Sequence, residues 1–304
     1  DEEHESAYKQ EETSPFYHAR ECALMRGKLS PCPVVMGSAT PALETFARAR
    51  AGQMEILDLP ERIDSTPLPE VELIPMEKEP RGCVISGRLA EALRDTVGRG
   101  EQALLFVNRR GFAPVLLCAS CGASARCEAC STSLVIHAAE RSLICHWCGK
   151  SAPVAKKCPR CGGGALRPLG LGTQRVEQEA RALLPGARLV RMDLDTTRHR
   201  LAHEELLKSF ENGDVLIGTQ MVAKGLDFPK VSLVGVVSAD TALAIPDFRA
   251  GERTFQLIVQ VAGRAGRAAG GGEVVVQTWH ASDAAIRFAL QHDYAGFAGY
   301  ELPL

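Results

Sequence analysis

Residues 118–161 read CASCGASARCEACSTSLVIHAAERSLICHWCGKSAPVAKKCPRC and hold eight of the chain's eleven cysteines. They form four C-x-x-C pairs: Cys118/Cys121, Cys127/Cys130, Cys145/Cys148 and Cys158/Cys161. Two thiolates two residues apart sit on one tight turn and grip one face of a tetrahedral metal, so four such turns supply two Zn(Cys)4 sites. A lone C-x-x-C would read as a redox dithiol, but that needs a thioredoxin-like strand before it, and nothing here resembles one. Disulfides are a second alternative. At 304 residues the chain can build a core without staples. No secretory leader is read at its start, so reducing surroundings and metal are favoured. An iron–sulfur cluster is the remaining competitor.

Which pairs share an ion is a separate question. Cys127/Cys130 and Cys145/Cys148 are fourteen residues apart, close to zinc-ribbon spacing. Cys118/Cys121 and Cys158/Cys161 would then share the other ion, tying the point where an insertion leaves its host to the point where it returns. Sequential pairing is the competitor, although only five residues separate Cys121 from Cys127. Each zinc would stand in for a hydrophobic core with roughly 10–16 kcal/mol of apparent binding energy at neutral pH. Cys22, Cys32 and Cys83 are isolated and read as small buried side chains.

Around this block the chain alternates. Residues 34–37 read as a buried strand and 41–51 as a helix with Pro at its first turn. Residues 61–82 are rich in proline and charge and read as a linker. Beyond them, helices are expected over 88–97, 174–184, 202–210 and 255–262, and strands over 103–107, 188–192, 214–219, 232–237 and 273–278. Short apolar strands alternating with helices imply an α/β fold, a parallel sheet covered on both faces. No run approaches the roughly 20 apolar residues of a membrane span. A net charge of −2 excludes a globally basic nucleic-acid binder, so any such contact must be local. Lys150, Lys156, Lys157 and Arg160 on the cysteine block and the pair Arg109/Arg110 are local candidates for phosphate contact. The first residue is not Met, and a longer parent protein is expected.

Further motifs flank the cysteines. The chain opens with D-E-E-H at 1–4, and G-S-A-T follows at 37–40. G-T-Q spans 218–220, K-G-L-D spans 224–227 and Q-V-A-G-R-A-G-R spans 260–267. Phosphoanhydride hydrolysis needs a metal-linked carboxylate and a group that orients water, roles that Asp1 and Glu2 fit. It also needs cations aimed at the γ-phosphate. Arg264 and Arg267, three apart, share a face if helical, and the glycine spacing lets that helix end approach a nucleotide.

In this order the motifs resemble helicase superfamily 2. The cysteine block lies between V-N-R-R-G at 107–111 and T-Q-R-V-E at 173–177, which narrows the likeness to the replication-restart branch of that superfamily. The resemblance implies RecA-like parallel-sheet lobes: the end of lobe one at 1–60, lobe two at 83–117 and 166–280, a zinc insertion at 118–165 and the start of a C-terminal region at 281–304. It implies ATP with Mg²⁺ and two Zn²⁺ as cofactors. Gln260, Arg264 and Arg267 would act at the γ-phosphate, with Gly225, Asp227 and Gly263 lining the nucleotide. Ser38 and Thr40 would couple nucleotide state to DNA grip, and Thr219, Gln220 and Lys224 would contact strand and nucleotide. Tyr8, Lys9, Phe16 and Tyr17 match an aromatic-rich loop that senses single strands. The implied activity is 3′–5′ unwinding of stalled or branched forks and the start of primosome assembly. Implied partners are branched and single-stranded DNA, helicase-loader and primosome proteins and single-stranded-DNA-binding protein, for a cytoplasmic monomer with no membrane. No phosphate-binding loop G-x-x-x-x-G-K-[ST] occurs, so the chain alone is expected to be inactive on ATP. A fork-binding, loader-recruiting scaffold with a decayed motor is the alternative.

Overall fold

The computed structural model describes residues 1–10, 13–59, 68–80, 82–108, 115–118, 121–130, 132–137, 142–164, 166–168, 173–193, 202–219, 228–245, 247–265 and 272–303. The chain divides into two compact units, one of residues 1–60 with 294–304, the other of residues 61–293.

In the smaller unit, β1 (Lys9–Gln10) pairs antiparallel with β2 (Tyr17–His18), followed by α1 (Ala19–Leu29) and α2 (Leu43–Arg50). Buried Glu3 ties these pieces together. Its carboxylate accepts from Arg20 Nη1 on α1 at 2.8 Å and from the Ala42 amide at 2.6 Å and Thr45 Oγ1 at 3.0 Å around α2. A buried carboxylate with three donors is stable only as a complete set, because each lost partner leaves charge uncompensated. A helix over Tyr294–Glu301 belongs to the same unit: Tyr294 donates its hydroxyl to the Pro41 carbonyl at 2.7 Å and meets Phe46 edge-on.

The larger unit contains β3 (Glu70–Pro75), α3 (Gly87–Gly98), β4 (Gln102–Phe106), β5 (Leu116–Cys118), β6 (Val135–His137), β7 (Ser142–Ile144), β8 (Ser151–Pro153) and β9 (Leu166–Pro168). It continues with α4 (Thr173–Leu183), β10 (Leu189–Met192), α5 (Ala202–Glu211), β11 (Val215–Gly218), β12 (Val231–Val236), α6 (Asp240–Leu243), α7 (Ala250–Ala265), β13 (Glu273–Thr278) and α8 (Ala284–Leu290). Six strands form one sheet in the order β10-β11-β4-β12-β13-β3, every pairing parallel. Its central strands carry apolar runs because both faces are covered: Ala103, Leu104, Leu105 and Phe106 are all fully buried. α3 starts where the Ser86 hydroxyl accepts from the Leu89 amide and lays Leu89 and Leu93 onto the sheet. The buried Gln277 amide replaces missing backbone partners, accepting from Ser86 N–H and donating to the Val84 and Val237 carbonyls.

The cysteine block leaves and rejoins this unit through β5 and β9, which pair antiparallel with Cys118 opposite Leu166. Inside it, β6, β7 and β8 form a small antiparallel sheet over Leu116, Leu134 and Leu143. Gly122, just after the first C-x-x-C, has φ +66°, and a Cβ there would lie 2.3 Å from Trp279 Cβ at the end of β13. The knuckle therefore seats against the main sheet only where it has no side chain.

Several expectations change. Residues 34–37 are not a strand, and Val35 is 82% exposed, because no neighbouring strand pairs with them among the described residues. Glu70–Pro75, inside the span read as a linker, is the edge strand of the sheet. Its alternation of Glu70, Val71, Glu72 and Leu73 is masked by flanking prolines, and Pro75 is tolerated because an edge strand leaves one side unpaired. Within 281–304, α8 lies in the unit of residues 61–293 and the helix over Tyr294–Glu301 in the unit of residues 1–60. β5 and β9 pair with each other at the two ends of the expected 118–165 insertion. Cys22 and Cys32 are exposed and Cys83 half-buried, against the expectation of burial.

Gly149 has φ +75° but open space where a Cβ would go. Gly149→Ala is thus expected to cost only the left-handed backbone penalty, about 1–2 kcal/mol. Gly122→Ala should add an overpacking cost of about 1–3 kcal/mol. Urea unfolding of the two zinc-loaded variants makes the comparison, and equal losses would mean that Trp279 does not press on the knuckle.

Candidate metal centres and motor motifs

The four knuckles share one local geometry. The amides of Cys118, Cys127 and Cys145 donate to the carbonyls of Ala123, Thr132 and Lys150, and that of Cys158 to Gly164, at 2.8–2.9 Å. In three knuckles the residue after the second cysteine is a left-handed glycine whose amide returns to the first cysteine's carbonyl: Gly122 to Cys118, Gly149 to Cys145 and Gly162 to Cys158. The pattern C-x-x-C-G is visible in the sequence and is the signal that a knuckle, rather than a helix, follows the first thiol.

The structure gathers the sulfurs as two sets, Cys118, Cys121, Cys158 and Cys161 in one and Cys127, Cys130, Cys145 and Cys148 in the other, all sulfurs of a set within 4.8 Å of one another. This is the nested arrangement, and sequential pairing is excluded. Sulfur separations are 3.6 Å for Cys118–Cys161, 3.7 Å for Cys121–Cys158, 3.6 Å for Cys127–Cys148 and 3.9 Å for Cys130–Cys145. A tetrahedron with bonds of about 2.3 Å has edges of about 3.8 Å, while a disulfide brings sulfurs to about 2.05 Å. The donor set and spacing therefore fit one zinc ion each. Both sets have the same burial, with two sulfur-bearing residues buried, one half-buried and one exposed.

As thiols the sulfurs are unequal. The Thr132 hydroxyl, 3.3 Å from Cys145 Sγ, and the Cys148 amide hold Cys145 down to about 6. The Gly163 and Gly164 amides hold Cys161 down to about 6. The neighbouring Cys148 thiol and then burial push Cys130 up to about 12, and burial pushes Cys121 up to about 12. Each set thus mixes a thiol that ionises readily with one that keeps its proton until a divalent cation displaces it.

The motor motifs of the smaller unit converge locally. Glu2 has φ +51°, uncommon for a residue with a Cβ, and its buried Oε2 faces His4 Nδ1 at 3.5 Å with no hydrogen bond among the described residues. His4 Nδ1 lies 2.7 Å from Ser38 Oγ, which also accepts from the Thr40 amide at 3.0 Å. Tyr8 donates its hydroxyl to the Asp1 carbonyl at 2.8 Å. Asp1, Glu2, Tyr8, Ser38 and Thr40 are therefore neighbours, with Glu3 and His4 as the links that motif reading left unassigned. Phe16 and Tyr17 are 70% and 51% exposed around the β1–β2 hairpin, and Lys9 is exposed on it, so the rings are not spent on packing.

In the larger unit, Gln260, Gly263 and Arg264 lie on the partly exposed stripe of α7, opposite buried Phe255, Ile258, Val261 and Ala262. A Cβ at Gly263 would meet open space. Thr219 is buried just after β11. Gln220, Lys224, Gly225, Asp227 and Arg267, with Arg109 and Arg110, lie outside the described residues. Asn108, which motif reading passed over, follows central β4 at the carboxyl edge of the sheet. It is 3% exposed, and neither amide atom is hydrogen-bonded among the described residues. The chain turns one way from β4, to β10 and β11, and the other way to β12 and β13, so Asn108 borders the switch point where open parallel sheets bind ligands.

Comparison with known proteins agrees with this layout. Residues 127–153 match the family described as PriA DNA helicase Cys-rich region (CRR) domain, and residues 173–269 match the helicase conserved C-terminal domain. The chain is 50% identical over 307 residues to the replication restart protein PriA of Bacillus subtilis. It is 40% identical over 316 residues to that of Synechocystis and 42% over 311 residues to that of Chlamydia trachomatis. The chain belongs to the PriA family. The alignments take in 99–100% of this chain but 38%, 38% and 41% of those relatives, so it spans well under half of their length. Among solved structures, RecG bound to a three-way DNA junction aligns with 87% of this PriA-family chain and 26% of its own, at 15% identity and a TM-score of 0.47. No helix among the described residues is long and apolar enough to cross a membrane.

Nested ligation has a stoichiometric consequence. The double variant Cys118→Ser/Cys127→Ser removes a ligand from each set and is expected to lose both zinc ions, whereas sequential pairing would leave one intact. Zinc analysis of the purified variant, beside Cys145→Ser losing one ion, separates the outcomes.

Proposed function

We propose that this chain carries the second half of an ATP-driven 3′–5′ DNA helicase that acts on stalled or branched replication forks and opens primosome assembly in the cytoplasm. Membership of the PriA family and the helicase fold support this reading, and the contact between the acidic box and the S-A-T segment carries it most directly. When bound, ATP with Mg²⁺ supplies the free energy and the charge to be neutralised. Asp1 would hold the metal ion, and the Glu2 carboxylate, whose Oε2 lies 3.5 Å from His4 Nδ1, would accept a proton from, and so orient, the attacking water. Gln260, Gly263 and Arg264, with Arg267, Gly225 and Asp227, would serve the phosphates and nucleotide.

Coupling follows from the same residues. A change at Glu2 reaches Ser38 and Thr40 through His4, so nucleotide state can alter strand contact through that short path. Tyr8, Lys9, Phe16 and Tyr17 would meet single-stranded DNA, while Thr219, Gln220 and Lys224 would contact strand and nucleotide. The zinc module would help part the strands and receive helicase-loader, primosome or single-stranded-DNA-binding proteins. The chain by itself, without a phosphate-binding loop in its 304 residues, would not turn over ATP.

In the complete protein, Arg264→Ala is expected to lower DNA-stimulated ATP hydrolysis by about 100-fold or more while fork binding persists. Ser38→Ala should instead spare most of the hydrolysis and lose unwinding. Parallel ATPase and forked-DNA unwinding assays measure both. A complete wild-type protein that binds forks and never hydrolyses ATP would favour the scaffold reading.

A further inference from the structure

We propose that the third zinc knuckle is a base-stacking post, with Trp147 as the platform for one unstacked base of single-stranded nucleic acid. Trp147 sits between the thiols of Cys145 and Cys148, and its side chain is 78% exposed. Large exposed indoles are uncommon on a surface that has a core available, and the backbone that carries this one is held rather than loose. Its backbone belongs to a turn closed at both ends, by Cys145 N–H to the Lys150 carbonyl and by Gly149 N–H to the Cys145 carbonyl, both 2.8 Å. The adjacent His146 ring is held by a contact of 2.9 Å between its Nε2 and His137 Nε2. A metal at the Cys145/Cys148 thiols would fix the turn further, so little conformational entropy remains to be lost when a ring stacks on the indole.

Charge selects the partner. Residues 142–164 contain Lys150, Lys156, Lys157 and Arg160 and no Asp or Glu. All four cations are exposed, and none is ion-paired among the described residues. On the facing knuckle of the same metal set, exposed Glu128 is offset by Arg126. A positive, aromatic-tipped surface without carboxylates of its own matches a phosphate backbone with splayed bases. It gives a neutral or basic protein surface nothing to pair with. The inference deepens the helicase reading by assigning a strand-contacting residue within the zinc module, outside the motor motifs.

The test uses the zinc-loaded 304-residue chain and a short oligothymidylate. Trp147 and Trp279 are its two tryptophans, and Trp279 is half-buried. Indole fluorescence should therefore be quenched on binding in the wild type and not in Trp147→Phe. Trp147→Ala should bind about 5- to 150-fold more weakly, with Trp147→Tyr recovering most of the loss. The salt slope of binding should stay unchanged in Trp147→Ala and flatten in Lys156→Ala/Lys157→Ala, because stacking releases no counterions. Zinc content of two ions per chain in each variant confirms an intact module. Oligonucleotide binding that is unaltered by Trp147→Ala and leaves the indole unquenched overturns the proposal and points the ring at a protein, as does failure of the wild type to bind. Neither result touches the helicase reading, which stands or falls on ATP hydrolysis and unwinding by the complete protein.

Discussion

Four thiolates from sequence-distant turns must meet at tetrahedral spacing twice over, and the rest of the larger unit is arranged so that they can. The outer set joins Cys118/Cys121 to Cys158/Cys161, which brings β5 back beside β9 and lets the chain rejoin its parallel sheet close to where it left. The inner set then closes a smaller loop over a core of only a few apolar residues. Such a core is too small to hold an insertion of this length by burial alone, and a metal ion in each set would supply the missing free energy. Gly122 passes that order on: its bare Cα meets Trp279, whose amide donates to buried Asp240 at 2.9 Å. Burial raises the Asp240 carboxyl above its usual range, against the pull of the Thr278 hydroxyl and the Trp279 amide.

The parallel sheet sets where the motif residues of the larger unit gather. Parallel strands present their carboxyl ends on one edge, and Asn108 and Thr219 lie just beyond those ends. α7 follows from a plain pattern, with one face apolar against the sheet and the other carrying Gln260, Gly263 and Arg264. In the smaller unit the same economy is reached by a buried charge. Glu3 looks like one more carboxylate in D-E-E-H, yet it is sequestered with Arg20 and holds α1 and α2. The left-handed backbone at Glu2, φ +51°, turns the chain so that Glu3 enters the interior while Asp1 stays exposed.

The cysteine module joins rigidity to exposure. Knuckles are stiff because backbone hydrogen bonds and thiols converge on each turn, and in the three knuckles after the first the residues between the cysteines are exposed because their neighbours point in. An aromatic side chain placed there, as at Trp147, is offered to solvent from a held backbone.

Local chemistry was legible in the residues themselves. Ligand type, the number of metal sites, the apolar strands β4, β11, β12 and β13, the helix α7 and the order of the helicase motifs all depend on neighbours within a few positions. Tertiary structure decided what depends on distant partners. Nested rather than sequential ligation was one such choice, since closing either loop is compatible with C-x-x-C spacing. The place of Glu70–Pro75 at the sheet edge was another, because its alternation gains free energy only once β13 lies beside it. Val34 to Gly37 failed as a strand for the converse reason: an apolar run becomes a strand only where a neighbour supplies hydrogen bonds, and among the described residues none does. Burial of Glu3 and the fixing of His4 to Ser38 likewise required two segments about 35 residues apart to meet, a closure that no local pattern encodes.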